Sequence, residues 1–395
     1  DSKFTQFLLH YFAAEHFFID DNNWYSAEKV ISWFRTYSDD LDSPESFLED
    51  LDIKSQHYVN FLRGRDNRLD KAEDNIDLKY QNRFFSSVKQ TMPILLAASS
   101  LSIAKFKIVS EVVTKLILIM SVTKEPWQGI RTGDSKSIQS YILKIREGNV
   151  DGFVSEFNEF AEEKSKSFQV DIVKEDFFGE KSGNIDLRKF LMILIENKIA
   201  SEAGSNETYF YDDSTGKLKK ETSTQNKTAE HILPKNNEPD ALARSKPPRY
   251  YIDSENKIFT EEEVENSQLD LYTEVSLSDK DILALIGRLG NFVTLDRVTN
   301  SILGDMTVAE KYKTQGYHNS TRTSALMVRN YITVDPPSAK HKKVIKKYGF
   351  ERIELTKIGD EEYFLEEQIV KREIIILRIL SDYLGVKLLH PSEKQ

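Results

Sequence analysis

The pattern of hydrophobic and polar positions changes character near residue 205. Before that point apolar residues recur at intervals of three and four, which is the spacing of one face of an α-helix. Some of these segments begin with a helix-start signal, such as Ser43 ahead of an acidic residue in SPES. The pattern predicts helices at 4–18, 26–37, 43–64, 84–99, 102–120, 135–148 and 185–204. We therefore expect the first half to form a helical bundle or array.

The second half of the chain mixes strand and helix patterns. Residues 205–228 alternate, turn at STG and are rich in Thr, which favours a hairpin. A polar stretch with loop signals follows, and it contains one short predicted helix at 259–268. A strong helix at 363–385 ends at a glycine. The expected fold class is mostly α, with a helical domain at 1–205 and an α+β domain at 206–395.

The amino-acid composition indicates which class of protein the chain belongs to. The chain is 39% apolar and 30% charged, as soluble globular proteins are, and its zero cysteines exclude disulfides and Cys-ligated zinc. The most apolar stretch, 103–122, carries four charged residues and is therefore expected to be a buried helix, with no membrane partner. We expect a cytoplasmic protein. The amphipathic start without an initiator Met suggests a cut inside a longer protein.

A glutamate and a histidine are adjacent in TAEHILPKNN (228–237). His231 can take a proton from water near neutral pH, and a carboxylate such as Glu230 suits a hard divalent ion. Successive side chains of a strand point to opposite faces, so both residues can serve one site only where the strand twists or bulges. Taken alone, His231 is better explained as a hydrogen-bonded strand histidine.

Two asparagines follow in GNFVTLDRVTN (290–300). The spacing predicts a turn at Gly290 and Asn291, a short strand FVTL, and a helix that begins near Asp296. At the turn, the amide of Asn291 can brace a neighbouring loop. Within the helix, Asn300 can offer a carbonyl oxygen to a metal ion. Each asparagine alone is an ordinary turn or helix residue, and only the combination with Glu230 and His231 points to catalysis.

The combination EHILP (230–234), LGNFVTL (289–295) and Asn300 resembles a known nuclease pattern. It is similar to the HNH-type, ββα-metal nuclease domain at the C-terminus of GmrSD-type modification-dependent restriction proteins, which include the phosphorothioate-sensing SspE proteins. The N-terminal helical segments and the helix at 363–385 are also similar to this family, more loosely. The family's N-terminal sensing domain has no counterpart here, so the chain resembles the C-terminal portion of such a protein.

The resemblance implies a role for each motif residue. Glu230 and Asn300 would bind one Mg²⁺ or Mn²⁺, His231 would be the general base, and Asn291 would hold the histidine loop. The implied function is that of a metal-dependent DNA endonuclease, a nickase when monomeric, that acts as effector of an anti-phage restriction system. Its partners would be DNA and the sensing domain of the same protein, and the oligomeric state is left open.

Several further residues are weaker candidates for DNA contact. Lys311 and Tyr312 resemble a Lys-and-Tyr element of the family that touches phosphate. Arg297 and the pair Lys342 and Lys343, from the basic run SAKHKKVIKKYGFER, are predicted to approach the DNA backbone. A lysine run is also typical of a solvated helix face. A competing third catalytic position is His318, in a polar loop.

Two alternative functions remain open from the sequence. One is a non-catalytic DNA- or partner-binding helical module that carries a relic nuclease fold. The other is a helical scaffold without a nucleic-acid role, which the formal net charge of −10 favours because non-specific DNA affinity comes from basic groups.

Overall fold

The computed structural model shows a mostly α-helical protein with a few short strands, as predicted. It divides into two compact units, Asp1–Phe168 (unit 1) and Gln169–Gln395 (unit 2). The residues that the structure describes are 2–15, 28, 31–32, 35–36, 43–66, 73–85, 91–124, 135–175, 177–178, 183–204, 227–233, 246–266, 272–296, 302–303, 306–314, 339–350 and 353–394.

Unit 1 is built from helices and one short strand pair. Its helices are α1 (Ser2–Glu15), α2 (Pro44–Phe61), α3 (Ile76–Phe84), α4 (Met92–Ala98), α5 (Ile103–Thr123), α6 (Ser135–Arg146) and α7 (Val150–Asp171). Strands β1 (Arg65–Asp66) and β2 (Glu73–Asp74) pair antiparallel. Helix α4 is buried at every position and packs against α1, α2, α5 and α6, because its sequence MPILLAA is apolar throughout.

The described residues of unit 2 form six α-helices and three small sheets. The helices are α8 (Ile185–Glu202), α9 (Glu261–Glu265), α10 (Asp279–Ile286), α11 (Val308–Lys313), α12 (Ala339–Tyr348) and α13 (Glu366–Leu384). The strands are β3 (Lys227–His231), β4 (Tyr250–Ile252), β5 (Ile258–Thr260), β6 (Thr273–Val275), β7 (Phe292–Asp296), β8 (Thr356–Ile358) and β9 (Glu361–Tyr363). They form the antiparallel pairs β3–β7 and β8–β9 and a three-stranded sheet in the order β5–β4–β6.

Helix α8 is the central helix of unit 2. It packs against β3, β7, α12 and α13, and buried side chains lie on nearly all of its faces. The sequence FLMILI within it is apolar at consecutive positions, as in a helix surrounded by protein. The predicted domain boundary at 205/206 therefore falls inside unit 2, between α8 and β3.

Most predicted helices in the described residues are present. Ser43 caps α2 by accepting a hydrogen bond from the Ser46 N–H, and α13 ends at Gly385 with a φ of 77°. Helix α5 is buried as predicted. No helix in the described ranges combines the length and apolar composition that crossing a bilayer requires. Residues 205–226 of the predicted hairpin lie outside the described part of the chain. Most of the predicted helix at 26–37 also lies outside it.

The structure also contains elements that the sequence pattern did not indicate. Helix α7 was not among the predicted helices, although its buried Phe153, Phe157, Ala161 and Phe168 follow helical spacing. The sheet β5–β4–β6 lies in the stretch predicted to be a polar loop, and the hairpin β8–β9 lies where no element was predicted. Their strands have three residues each and share one small apolar core, so the alternation within any one of them is too short to detect.

Candidate active site

The candidate site is built on the antiparallel pair β3–β7. Pairing runs without interruption from Lys227 opposite Asp296 to His231 opposite Phe292, so the described ladder contains no bulge. His231 is the last paired residue, and the chain bends at Ile232 directly after it. The twist of a two-stranded ribbon is therefore the remaining means of bringing the side chains of Glu230 and His231 to one site.

Asn291 braces the loop that follows His231. Its carbonyl accepts from the Ile232 N–H at 2.8 Å, and its Oδ1 accepts from the Leu233 N–H at 2.7 Å. Its Nδ2 donates to the carbonyl of Ile286 at 3.0 Å and, more weakly, to that of Leu233 at 3.5 Å. Asn291 is fully buried. This is the contact expected of a residue that holds the histidine loop, while a part in catalysis stays a prediction.

Helix α13 holds the turn that carries Asn291. Arg372, 1% exposed, donates from Nε to the carbonyl of Gly290 and from Nη2 to the carbonyl of Phe292, both at 2.6 Å. Only glycine fits at position 290, because a Cβ there would lie 2.2 Å from the carbonyl oxygen of Ile369. The turn is thus pressed against the helix and bonded to it on both sides of Asn291.

A buried ion pair stabilises the same turn. Arg288 donates to both carboxylate oxygens of Glu373, at 3.2 and 2.5 Å, and to Glu366 at 2.6 Å. Glu373 is fully buried and also lies 3.1 Å from Nε2 of His390. Burial alone would lower the pKa of Arg288, but its bonds to Glu373 and Glu366 raise it above the usual value. The guanidinium therefore stays charged at this position.

Lys311 lies on helix α11 and contacts the loop that follows His231. Its Nζ donates to the carbonyls of His231 at 2.9 Å and Ile232 at 3.3 Å, and its side chain is fully buried. The structure therefore favours a positioning role for Lys311 over the phosphate contact predicted for it. The neighbouring Tyr312 is half-buried, so a contact with phosphate stays open for this residue.

The imidazole of His231 is half-buried and lies beside an aromatic ring. Its centroid is 4.6 Å from the ring centroid of Phe292, its partner across the ladder. The guanidinium of Arg188 lies 4.6 Å from the same phenyl ring, and Phe178 contacts this ring edge to face. Phe292 thus links the candidate base to a cation from the first turn of α8.

The lysine run on α12 divides into two sets. Lys347 donates to Glu202 at 2.8 Å and lies 2.9 Å from Asp382, and Lys343 lies 3.6 Å from Glu202. Burial alone would raise the pKa of Asp382, but its bonds to Lys198 and Lys347 lower it to about 2. Lys342 and Lys346 are exposed on the neighbouring face of the helix, and Lys343 is also largely exposed. Lys343 and Lys347 therefore lie near carboxylates, and Lys342 and Lys346 are exposed to solvent.

Several predicted site residues lie outside the described part of the chain. These are Arg297, Asn300 and His318, and the side chain of Glu230 is likewise not described. Within the described residues no group of three or more His, Asp or Glu side chains has the arrangement of a metal site. That search does not cover the pair Glu230 and Asn300, so the predicted Mg²⁺ or Mn²⁺ site stays a prediction.

A separate cavity of about 700 Å³ lies between α11 and the β8–β9 hairpin. Three lysines and four carboxylates line it, including Lys313, Lys357, Glu310 and Glu362. Because these charges nearly cancel, the cavity does not favour a polyanion over other ligands.

Three residues that hold the turn were not predicted from the sequence: Arg288, Arg372 and Glu373. The signal that marks Arg372 and Glu373 is the run of three charged residues KRE (371–373) inside the apolar sequence of α13. Models of known protein families gave no match to the chain, and a search of curated proteins gave none either. What the site does must therefore be inferred from its residues.

Proposed function

We propose that unit 2 carries an HNH-type ββα-metal nuclease site and that the protein is a metal-dependent DNA endonuclease that nicks one strand. The observation that carries the proposal is the bond from the Leu233 N–H to the Asn291 side chain, at 2.7 Å. It joins the two halves of the motif, which lie 58 residues apart, and it fixes the loop directly after the candidate base. The antiparallel pairing of β3 with β7 supplies the two strands that such a site requires.

His231 is proposed as the general base. It would take a proton from the water that attacks the scissile phosphorus in line, leaving a 5′-phosphate and a 3′-hydroxyl. The carbonyl of His231 bonds to Lys311 and the following amide bonds to Asn291, so its main chain is held from two sides. Glu230 and Asn300 offer the oxygen ligands that Mg²⁺ or Mn²⁺ prefers, and the ion would stabilise the departing oxygen and neutralise the phosphate.

The exposed lysines of α12 are proposed to contact the DNA backbone. Thr294 of β7 donates to the carbonyl of Met192 in α8, and Lys347 of α12 donates to Glu202 in the same helix. These two positions are ten residues apart, or about 15 Å along the helix axis. A duplex bound at His231 would then bring phosphates a few base pairs from the nick within reach of Lys342 and Lys346. Such a local patch allows DNA binding in spite of the net charge of −10.

One site of this kind cuts one strand, so a monomer would nick. A double-strand break would need a second copy or a second event. We further propose that the nuclease is the effector part of a cytoplasmic, modification-dependent restriction protein whose sensing domain lies outside this chain. The resemblance of the sequence motif supports the role in a restriction system. This role and the proposed chemistry at His231 are independent proposals.

A non-catalytic DNA-binding module is the second candidate, and one observation favours it. Without a bulge, regular alternation directs Glu230 and His231 to opposite faces of the ribbon. In that case the strands and α12 would serve binding alone.

Supercoiled plasmid with Mg²⁺ or Mn²⁺ separates the candidates. We expect the wild-type chain to produce nicked circles, and His231→Ala to lower the nicking rate by roughly 10²- to 10⁴-fold with DNA binding retained. The matched control is His57→Ala, a histidine of α2 in unit 1 that stacks on Phe61. A wild-type chain that does not nick, or a His231→Ala chain that nicks equally well, would contradict the nuclease and leave the binding module.

A further inference from the structure

The turn from Gly290 to Phe292 is held to α13 by hydrogen bonds from a buried arginine, Arg372. One guanidinium bonds to two main-chain carbonyls, those of Gly290 and Phe292, at 2.6 Å each. The residue between these carbonyls is Asn291. We propose that Arg372 is a positioning residue of the active site, which fixes the amide of Asn291 and through it the loop that carries His231. This inference rests on the proposed function.

The guanidinium restrains the main chain on both sides of Asn291. Its planar fork presents donors in a fixed geometry, so two simultaneous bonds set both the position and the orientation of the turn. The absent side chain at Gly290 lets the turn approach the carbonyl of Ile369 on the same helix. With its flanking peptides held, Asn291 has little freedom to shift relative to α13.

From Asn291 the restraint passes to the loop after the histidine. Its main-chain and side-chain oxygens accept from two successive amides, Ile232 and Leu233. The Ile232 amide is the peptide group that directly follows His231. Two bonded steps, α13 to the turn and the turn to the loop, therefore connect Arg372 to the candidate base.

Stability alone is a weak reason for a buried arginine at this position. Arg372 is 1% exposed, and removing a charge from water is costly even where hydrogen bonds offset it. Apolar side chains of similar volume often stabilise such sites equally well or better. An apolar residue, however, could not bond to the two carbonyls. The arginine thus contributes orientation, which matters for reactions that depend on placement within a fraction of an ångström.

The test compares two arginines of the same helix in the full chain. Arg372→Lys keeps the charge but not the fork, and Arg378→Lys is the matched control, because Arg378 donates to the carbonyl of Tyr348 instead of the turn. Plasmid nicking with Mn²⁺ gives kcat and KM separately, and circular dichroism and hydrogen exchange verify folding. We expect Arg372→Lys to lower kcat by roughly 10- to 100-fold with little change in KM. Arg378→Lys should retain the wild-type kcat.

A double variant tests the route through Asn291. Asn291→Ala removes the side-chain bond to Leu233 but keeps the main-chain bond to Ile232. If Arg372 acts through Asn291, the double variant Arg372→Lys with Asn291→Ala should therefore lose less activity than the product of the two single losses. Losses that multiply would overturn the proposal, and so would a folded Arg372→Lys chain with wild-type kcat. If the lysine variant does not fold, Arg372→Gln, which carries no charge, takes its place with the same expected loss.

The two hypotheses fail in different ways. Failure of both Arg372 variants to fold would show that the arginine serves the fold alone, which overturns the positioning role. A wild-type chain that does not nick contradicts the proposed function itself. A wild-type chain that nicks beside an equally active Arg372→Lys contradicts only the role of Arg372.

Discussion

Asp77 in unit 1 and Glu373 in unit 2 are both carboxyl groups in polar networks, but their neighbours differ: Asp77 lies near another carboxylate, and Glu373 is bonded to a guanidinium. Asp77 lies near Glu111 of α5, and burial together with this negative charge raises its pKa to about 7. Glu373 lies between Arg288 and His390 and accepts two bonds from the guanidinium. The raised pKa of Asp77 favours its protonated form up to about pH 7, whereas both carboxylate oxygens of Glu373 accept hydrogen bonds from Arg288.

The difference between these two carboxyl groups shows which contacts the polar side chains make in each unit. Around Asp77, the helices α3 and α5 are joined mainly by neutral groups, such as the bond from Gln81 to Thr114 at 3.0 Å. Around Glu373, charged groups fix one particular turn, the turn that carries Asn291. Packing between helices α3 and α5 tolerates a poorly solvated carboxyl. The turn of a candidate active site needs defined bonds, and charged partners supply them.

The largest expected effect is a gain of stability from Asp77→Asn. The folded state holds this proton up to about pH 7, whereas the unfolded chain loses it near pH 3.8, so unit 1 loses stability as pH rises from about 4 to about 7. The amide should remove this loss and stabilise unit 1 by about 3–4 kcal/mol at pH 8, with little effect near pH 4. Urea unfolding reports on unit 1 alone when tryptophan is excited, because Trp24, Trp33 and Trp127 all fall within its residues.

The matched control for this change is Asp151→Asn. Asp151 also lies in the first turn of a helix in unit 1, α7, but it is exposed. Its replacement should cost up to about 1 kcal/mol through the helix dipole. A stability gain for Asp151→Asn similar to that of Asp77→Asn would contradict the explanation by burial.

The same type of substitution should have the opposite sign in unit 2. Glu373→Gln leaves Arg288 buried without its main counter-charge and is expected to destabilise unit 2 by about 3 kcal/mol. Hydrogen exchange of α13 amides measures this loss locally. Glu366→Gln, which removes the exposed partner of the same arginine, should cost less than about 1 kcal/mol. Equal effects of the two variants would refute the distinction between the buried and the exposed bond.

Gly290→Ala examines the contact between the turn and α13. The added methyl group would overlap the carbonyl of Ile369, so we expect a loss of about 2 kcal/mol and slower nicking. Gly385→Ala has open space around its Cβ and meets only the strain of a φ of 77°, which costs about 1 kcal/mol. Urea unfolding followed by circular dichroism compares the stabilities. Unchanged nicking by Gly290→Ala would show that the turn does not need its position on α13.

The smallest effects are expected on α12, where substitution of one lysine should affect stability and substitution of its neighbour should affect DNA binding. Lys347→Met breaks the bonds to Glu202 and Asp382 and should cost about 1 kcal/mol of stability without weakening DNA binding. Lys346→Met should leave stability nearly unchanged and lower the slope of log affinity against log salt by about one. Fluorescence anisotropy of a labelled duplex at several salt concentrations measures this slope. Equal slopes for the two variants would remove Lys346 from the DNA surface.

Local patterns made part of this structure predictable. The capping serine at Ser43, the glycine end of α13 and the turn at Gly290 and Asn291 all depend on neighbours within a few residues, and the structure contains them. The turn is a single 3-10 turn, from Leu289 to Asn291, followed directly by β7. The motif spacing thus predicted where the candidate loop would be braced.

The contacts around the turn could not be read from the sequence. Arg372 and Glu373 lie about 80 residues from their partners, and a charged pair within a helix is more often solvated than buried. Lys311 shows the same difficulty, because whether a lysine bonds to phosphate or to a main-chain carbonyl depends on how deeply its helix packs. Pairing of the three-residue strands is likewise set by their shared core rather than by their own sequences.

The position of Arg372 in the chain has a consequence for biosynthesis. The turn at Gly290 leaves the ribosome about 80 residues before the arginine that fixes it. During that interval the histidine loop is present but its brace is not attached to α13. Synthesis of α13 would therefore be the step that completes the site, so a nascent chain should gain activity only once α13 has emerged from the ribosome.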